Sequence, residues 1–156
     1  MDADVVMDTA FTLSAQPDVV WPWIVQLGKA RAGWYLPRSV ERFVPASRRA
    51  ARSVDPRWQD LAIGDVIPDY GGSSATFDVV EMAAPSTIVY HSVRGRLVMT
   101  WSIVLRDRGG STRVLLRVRL GNVRRKRLAQ TVGGVFDGLT IAGLAAGLRE
   151  RVRPSG

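Results

Sequence analysis

The chain contains one histidine, His91, in the run Ile88-Val89-Tyr90-His91-Ser92-Val93. Imidazole changes charge near neutral pH, so a histidine aimed into a closed space can move a proton or hold a ligand's polar end. In an extended run His91 shares a face with Val89 and Val93, while Ile88, Tyr90 and Ser92 form the other. Its chemistry depends on which face turns inward; outward, it is an ordinary rim histidine. Asp78, between Phe77 and Val79, poses the same question. Buried, its pKa would rise and it could serve as an acid or base; on the wet face it is a solvated charge. Asp137 sits among glycines near the C-terminus, and turned inward it could pair with a basic residue such as Arg31. Tyr35 adds a phenol.

Other chemistries find no support. There is no cysteine, which excludes disulfides, thiolate catalysis and Cys-based metal sites. A lone histidine without a companion ligand set makes a metal site improbable. No Gly-x-Ser-x-Gly elbow, phosphate-cradling loop or His-Glu-x-x-His is present. Gly71-Gly72-Ser73 reads as a hairpin turn. No cofactor is expected. Any reaction would be acid–base or templating chemistry in a closed pocket, with His91, Asp78 and Tyr35 as the candidate catalytic groups.

Five large aromatics accompany them: Trp21, Trp23, Trp34, Tyr35 and Trp101. They either line a pocket, with indole N–H or phenol O–H groups fixing a ligand, or fill a helix–sheet junction. Trp34 and Tyr35 are expected to touch ligand first, because they sit in a turn.

The elements that must position these groups follow from periodicity. Val5 to Leu13 alternates, with Met7, Thr9, Phe11 and Leu13 on one face, and reads as a strand. Pro17-Asp18 opens a helix to about Leu27, with Gly28 as its stop and Pro22 inside it. A short helix is expected from about Arg38 to Val44. Five strands then follow at 64–70, 75–82, 87–93, 96–106 and 112–120, joined by hairpin-length links. Leu97, Met99, Trp101, Ile103 and Leu105 share one face. Val114, Leu116, Val118 and Leu120 oppose Arg113, Arg117 and Arg119. One side of the meander is greasy and the other wet.

A greasy face needs a cover, and the stretch from Arg124 to Arg153 is the element long enough to supply it. It reads as one long helix, apolar or small from Val132 to Leu148 except for Asp137. Gly133, Gly134, Gly138, Gly143 and Gly147 each cost about 1 kcal/mol relative to alanine in a helix. Their absence of side chains must gain something: close approach of a sheet, room for a bound molecule, or GxxxG packing in a membrane. The apolar run is short for a span and holds a charge.

At 156 residues, 46% of them hydrophobic, the chain is expected to form a single domain over residues 1–156. Met1-Asp2-Ala3-Asp4 lacks an apolar leader, so a cytoplasmic protein is the default. Net charge is +8, and only Lys29 and Lys126 among the 22 basic residues are lysine. Without interleaved aromatics at 48–52 or 124–127, nucleic acid is not expected as a partner. A weak contact with an anionic membrane surface is possible through the basic C-terminal flanks. Residues 45–57, bounded by prolines, are the best candidate for a mobile flap.

Trp21-Pro22-Trp23-Ile24-Val25-Gln26-Leu27-Gly28, Arg31-Ala32-Gly33-Trp34-Tyr35, Leu61-Ala62-Ile63-Gly64-Asp65-Val66-Ile67-Pro68 and Thr100-Trp101-Ser102-Ile103-Val104-Leu105 carry a resemblance. With the order of elements, they make the chain similar to the START-like, or SRPBCC, superfamily, in its polyketide cyclase/dehydrase-like bacterial branch. The resemblance implies an α+β helix-grip (Bet v 1-like) fold: a curved antiparallel sheet of six or seven strands wrapped on a long C-terminal helix, with two short helices after the first strand. It implies binding or carriage of a hydrophobic small molecule, such as a lipid, polyketide or aromatic metabolite, between sheet and helix. A cyclase/dehydrase-like enzyme is the alternative. Residues expected to line the cavity are Trp21, Trp34, Tyr35, His91, Met99, Trp101, Phe136 and Leu139. The protein is expected to be a monomer or homodimer.

Overall fold

In a computed structural model, residues 5–68, 75–123 and 138–153 are described. Six strands, β1 (Val5–Leu13), β2 (Val66–Pro68), β3 (Thr76–Ala83), β4 (Thr87–Arg94), β5 (Leu97–Asp107) and β6 (Thr112–Gly121), form one antiparallel sheet. Their order is β1-β6-β5-β4-β3-β2, so the meander is sequential and β1 closes onto β6. Among the described residues three α-helices accompany it: α1 (Pro17–Gln26), α2 (Arg38–Glu41) and α3 (Gly138–Val152). This is the helix-grip architecture that the element order implies.

Alternation divides the sheet into two faces. Phe77, Val79, Ile88, Tyr90, Met99, Trp101, Ile103 and Val118 are buried beneath the helices. Their alternating neighbours form the outer face. One extra residue, Val80, interrupts the β3–β4 register between Val79 and Glu81. This bulge lets β3 bend, as a curved sheet requires. Helix α3 lies over β1 and against α1, burying Ile141, Leu144, Ala145, Leu148 and Val152 at helical spacing.

The helix glycines have a different use from those foreseen. A Cβ on Gly147 would lie 2.6 Å from the backbone N of Leu36 and the carbonyl carbon of Tyr35. A Cβ on Gly143 would meet the Leu36 side chain at 2.9 Å. The spacing of four therefore seats the loop backbone at 35–36, not a sheet or a second membrane helix. No helix among the described residues is long and apolar enough to cross a membrane. Residues 124–137 of the expected long helix, with Phe136 and Asp137, lie outside the described residues.

A buried ion network locks that seat. Arg151 donates to Glu41 at 2.7 Å, to the carbonyls of Leu36 at 2.9 Å and Ala51 at 2.8 Å, and to Gly147 O at 3.0 Å. Arg52 bridges Glu41 to Glu150, and the Glu150 carboxylate accepts the backbone N–H of Arg38. Burial pushes the Glu41 pKa up, but the hydrogen bonds from Arg151 and Arg52 outweigh it and hold the carboxyl below its ordinary value. Burial pulls Arg151 down while Glu41 pulls it up; an arginine stays protonated either way.

The segment expected to be a flap is tied down at several points. The Ala51 N–H donates to Ala32 O, and Ala51 O accepts from Arg151. Fully buried Gln26 donates to Ser53 O at 3.1 Å and accepts from the Asp55 N–H at 2.9 Å. These anchors, at 51, 53 and 55, hold the middle of the 45–57 segment against α1 and α3.

Candidate functional site

The candidate site is an aromatic layer on the inner face of the sheet. Tyr90 and Trp101 are register partners across β4 and β5, and their rings stack at 5.3 Å with 27° between planes. Phe77 from β3 lies 5.8 Å from both. Trp34 approaches from the loop after α1, 6.2 Å from Trp101, and its indole N–H donates to Thr140 O on α3 at 3.3 Å. Three strands, one loop and the C-terminal helix thus converge on four rings. Met99, fully buried, continues the face opposite Ser92.

Polar groups interrupt this layer at one end. Arg31 donates through one terminal nitrogen, Nη2, to Val25 O at 3.0 Å and Trp58 O at 2.9 Å. Its Nε is buried with no hydrogen-bond partner, and so is the hydroxyl of Ser92. Burial pushes the Tyr90 phenol above its ordinary pKa, and the nearby Arg31 charge opposes the rise.

The residues singled out by sequence fall into three groups. Trp34, Trp101 and Met99 lie at the inner layer. Trp21 is buried on α1 within the same core. Tyr35 is a correction. Its neighbour Trp34 faces the sheet, so Tyr35 points the other way, into the wedge between α1 and α3. There its hydroxyl donates to Trp23 O at 2.6 Å, its ring meets Trp23 edge-on at 5.6 Å, and the Arg151 guanidinium lies 4.8 Å above it. It is a strut with no free hydroxyl.

His91 and Asp78 are the second correction. They are direct cross-strand partners on the outer face, because Tyr90, Ser92, Phe77 and Val79 take the inward positions. Neither reaches the aromatic layer. Phe136 lies outside the described residues, as does the side chain of Leu139. Among the described residues no cluster of His, Asp or Glu could hold a metal.

Sequence reasoning passed over Phe77, Tyr90 and Ser92. The signal lay in pairing: Tyr90 is the register partner of Trp101 on the greasy face of β5 and must share that face, which puts Phe77 and Ser92 inward in turn. Arg31 stood out only as a partner for Asp137.

The outer face carries its own open groove, of 660 Å³, with Asp8, Glu81, Thr100, Ser102, Arg106 and Arg117 among its lining. Within it Arg117 grips Asp8 through two bonds of 2.6 and 2.8 Å.

No known family model matches the chain, and no curated relative is found. Solved structures do match. CalU16 from Micromonospora echinospora superposes with a TM-score of 0.57 at 16% identity, over 96% of this chain and 76% of that one. Ms6760 from Mycobacterium smegmatis gives 0.59 at 15% identity, over 99% of this chain and 95% of that one. DynU16, described as a putative protein in the dynemicin biosynthetic locus, gives 0.56 at 15% identity over 97% of this chain, which spans 50% of that one. At such identities the likeness is one of fold.

Proposed function

We propose that this chain, acting as one ligand-binding domain, holds a hydrophobic small molecule against the inner face of the sheet. The observation that carries the reading is the layer of Trp34, Trp101, Tyr90 and Phe77, supplied by separate elements and framed by α3. Flat rings presented together suit a flat, conjugated or aromatic molecule, since offset ring pairs contribute about 0.5–1.5 kcal/mol beyond burial. The fold shared with CalU16 and DynU16, the latter from a biosynthetic locus, supports a biosynthetic metabolite as ligand.

Binding takes precedence over catalysis. A cyclase or dehydrase needs a titratable group beside the ligand, whereas His91 and Asp78 lie behind the sheet and Tyr35 is engaged elsewhere. Titration with 2-naphthalenemethanol, followed by tryptophan fluorescence, tests the reading. Saturable quenching that disappears in Trp101→Ala is expected. A linear, unsaturable response in the wild type would remove the proposal.

A weak contact with an anionic surface is a second reading. It is favoured by Phe43, which is 77% exposed beside Arg42, with Arg48 and Arg49 following. Cosedimentation with phosphatidylglycerol vesicles that vanishes at high salt is expected; no cosedimentation at low salt would discard it.

A further inference from the structure

Buried polar atoms in native proteins are almost always paired, so each bare one asks for a partner. On the inner face two such atoms occur, Arg31 Nε and Ser92 Oγ. The backbone ties both to the Phe77 row of the sheet. A Cβ placed on Gly28 would lie 3.6 Å from Arg31 Cδ and 3.7 Å from Ile67 Cδ1, so the arginine stem runs alongside Ile67. Ile67 is the register partner of Phe77, and the Phe77 ring is 5.8 Å from Tyr90. Ser92 is the next inward residue after Tyr90 on β4.

The guanidinium is also held in one orientation. Its Nη2 is clamped between two backbone carbonyls, which fixes the fork without neutralising it. No carboxylate pairs with it among the described residues. A fixed cation with no carboxylate partner among the described residues, close enough to act on the Tyr90 phenol, is complementary to an oxyanion.

We propose that Arg31, Ser92 and Tyr90 receive the carboxylate of an aromatic acid whose rings lie on Trp101 and Phe77. This rests on the ligand-binding reading and narrows it to an acidic ligand. Arg31 supplies the charge and one N–H, and Ser92 and Tyr90 supply O–H donors. Tyr90 donates as a neutral phenol, which its burial favours.

The test compares two probes of matched shape, 2-naphthoic acid and 2-naphthalenemethanol, titrated calorimetrically into the full chain at pH 7.5. The wild type should bind the acid roughly tenfold more tightly or better, as a charge-assisted hydrogen bond predicts. Arg31→Gln should abolish that preference, the acid losing roughly tenfold more affinity than the alcohol. Ser92→Ala removes one oxygen without disturbing the carbonyl clamp, and should weaken the acid alone by a smaller factor. Arg119→Gln, on the outer face, removes the same net charge and should leave the preference intact. Equal affinities in the wild type, as when water alone fills the site, would overturn the proposal and spare the binding reading. A preference that survives both Arg31→Gln and Ser92→Ala would also overturn it. Failure of both probes to bind would remove both readings together.

Discussion

Arg151 and Arg31 both bring a guanidinium into the interior, and they are treated in opposite ways. Arg151 meets a carboxylate and three carbonyls, so almost every donor is used. Arg31 meets two carbonyls and no carboxylate, and its Nε is left bare. A protein can afford a buried cation whose charge is matched, and it then serves as a fastener. One left partly unmatched has capacity for something that is not part of the chain. The difference separates scaffold from site more clearly than residue type or burial does.

The comparison breaks most visibly at Arg151. Arg151→Met leaves Glu41 buried with only Arg52, and should cost about 3–5 kcal/mol in urea unfolding. Arg31→Gln gives up two charge-assisted bonds to carbonyls but strands no carboxylate. Its cost should be lower, about 1.5–3 kcal/mol by the same measurement. Should the two variants prove equally unstable, Arg31 is as structural as Arg151. Gly147→Ala tests the seat under Arg151 without touching a charge. Overpacking against backbone should cost about 1–3 kcal/mol.

Acid provides a subtler probe. The Glu41 carboxyl is held below its ordinary pKa of 4.5 in the folded chain. A group depressed on folding stabilises above its unfolded pKa and loses that contribution as pH falls through the folded value. Wild-type stability should therefore drop as pH falls below about 4.5, and Glu41→Gln should drop less steeply. The unfolding midpoint between pH 7 and pH 3 reads this directly. Smallest of all, His91→Ala and Asp78→Asn should change stability by no more than about 0.5 kcal/mol and leave naphthoic acid binding unchanged.

Much of the fold was legible because strand periodicity is a local property. The run from Val5 to Leu13 matches β1 at both ends, and the greasy face of 97–105 is the buried face of β5. The site was less legible, because its residues are sorted by facing, and facing is decided across strands. One alternation puts Tyr90 inward and His91 outward, yet the residue with the better-known chemistry drew the eye. The ion network was illegible for a related reason. Glu41 and Arg151 are 110 positions apart, and neither spacing nor composition marks them as partners. Glycine in α3 was noticed, but its use required knowing that residues 35–36 would run across it.

That crossing point also fixes where α3 sits along its own axis. Among the described residues, position 147 is where the loop's backbone meets the helix at a distance no side chain tolerates. Sliding the helix by a single turn would put Gly143 or Arg151 there instead, and only the first lacks a side chain. The notch therefore acts as an indexing pin: a one-residue insertion between 147 and 151 would leave it seated but carry Arg151 about 100° around the helix, away from Glu41.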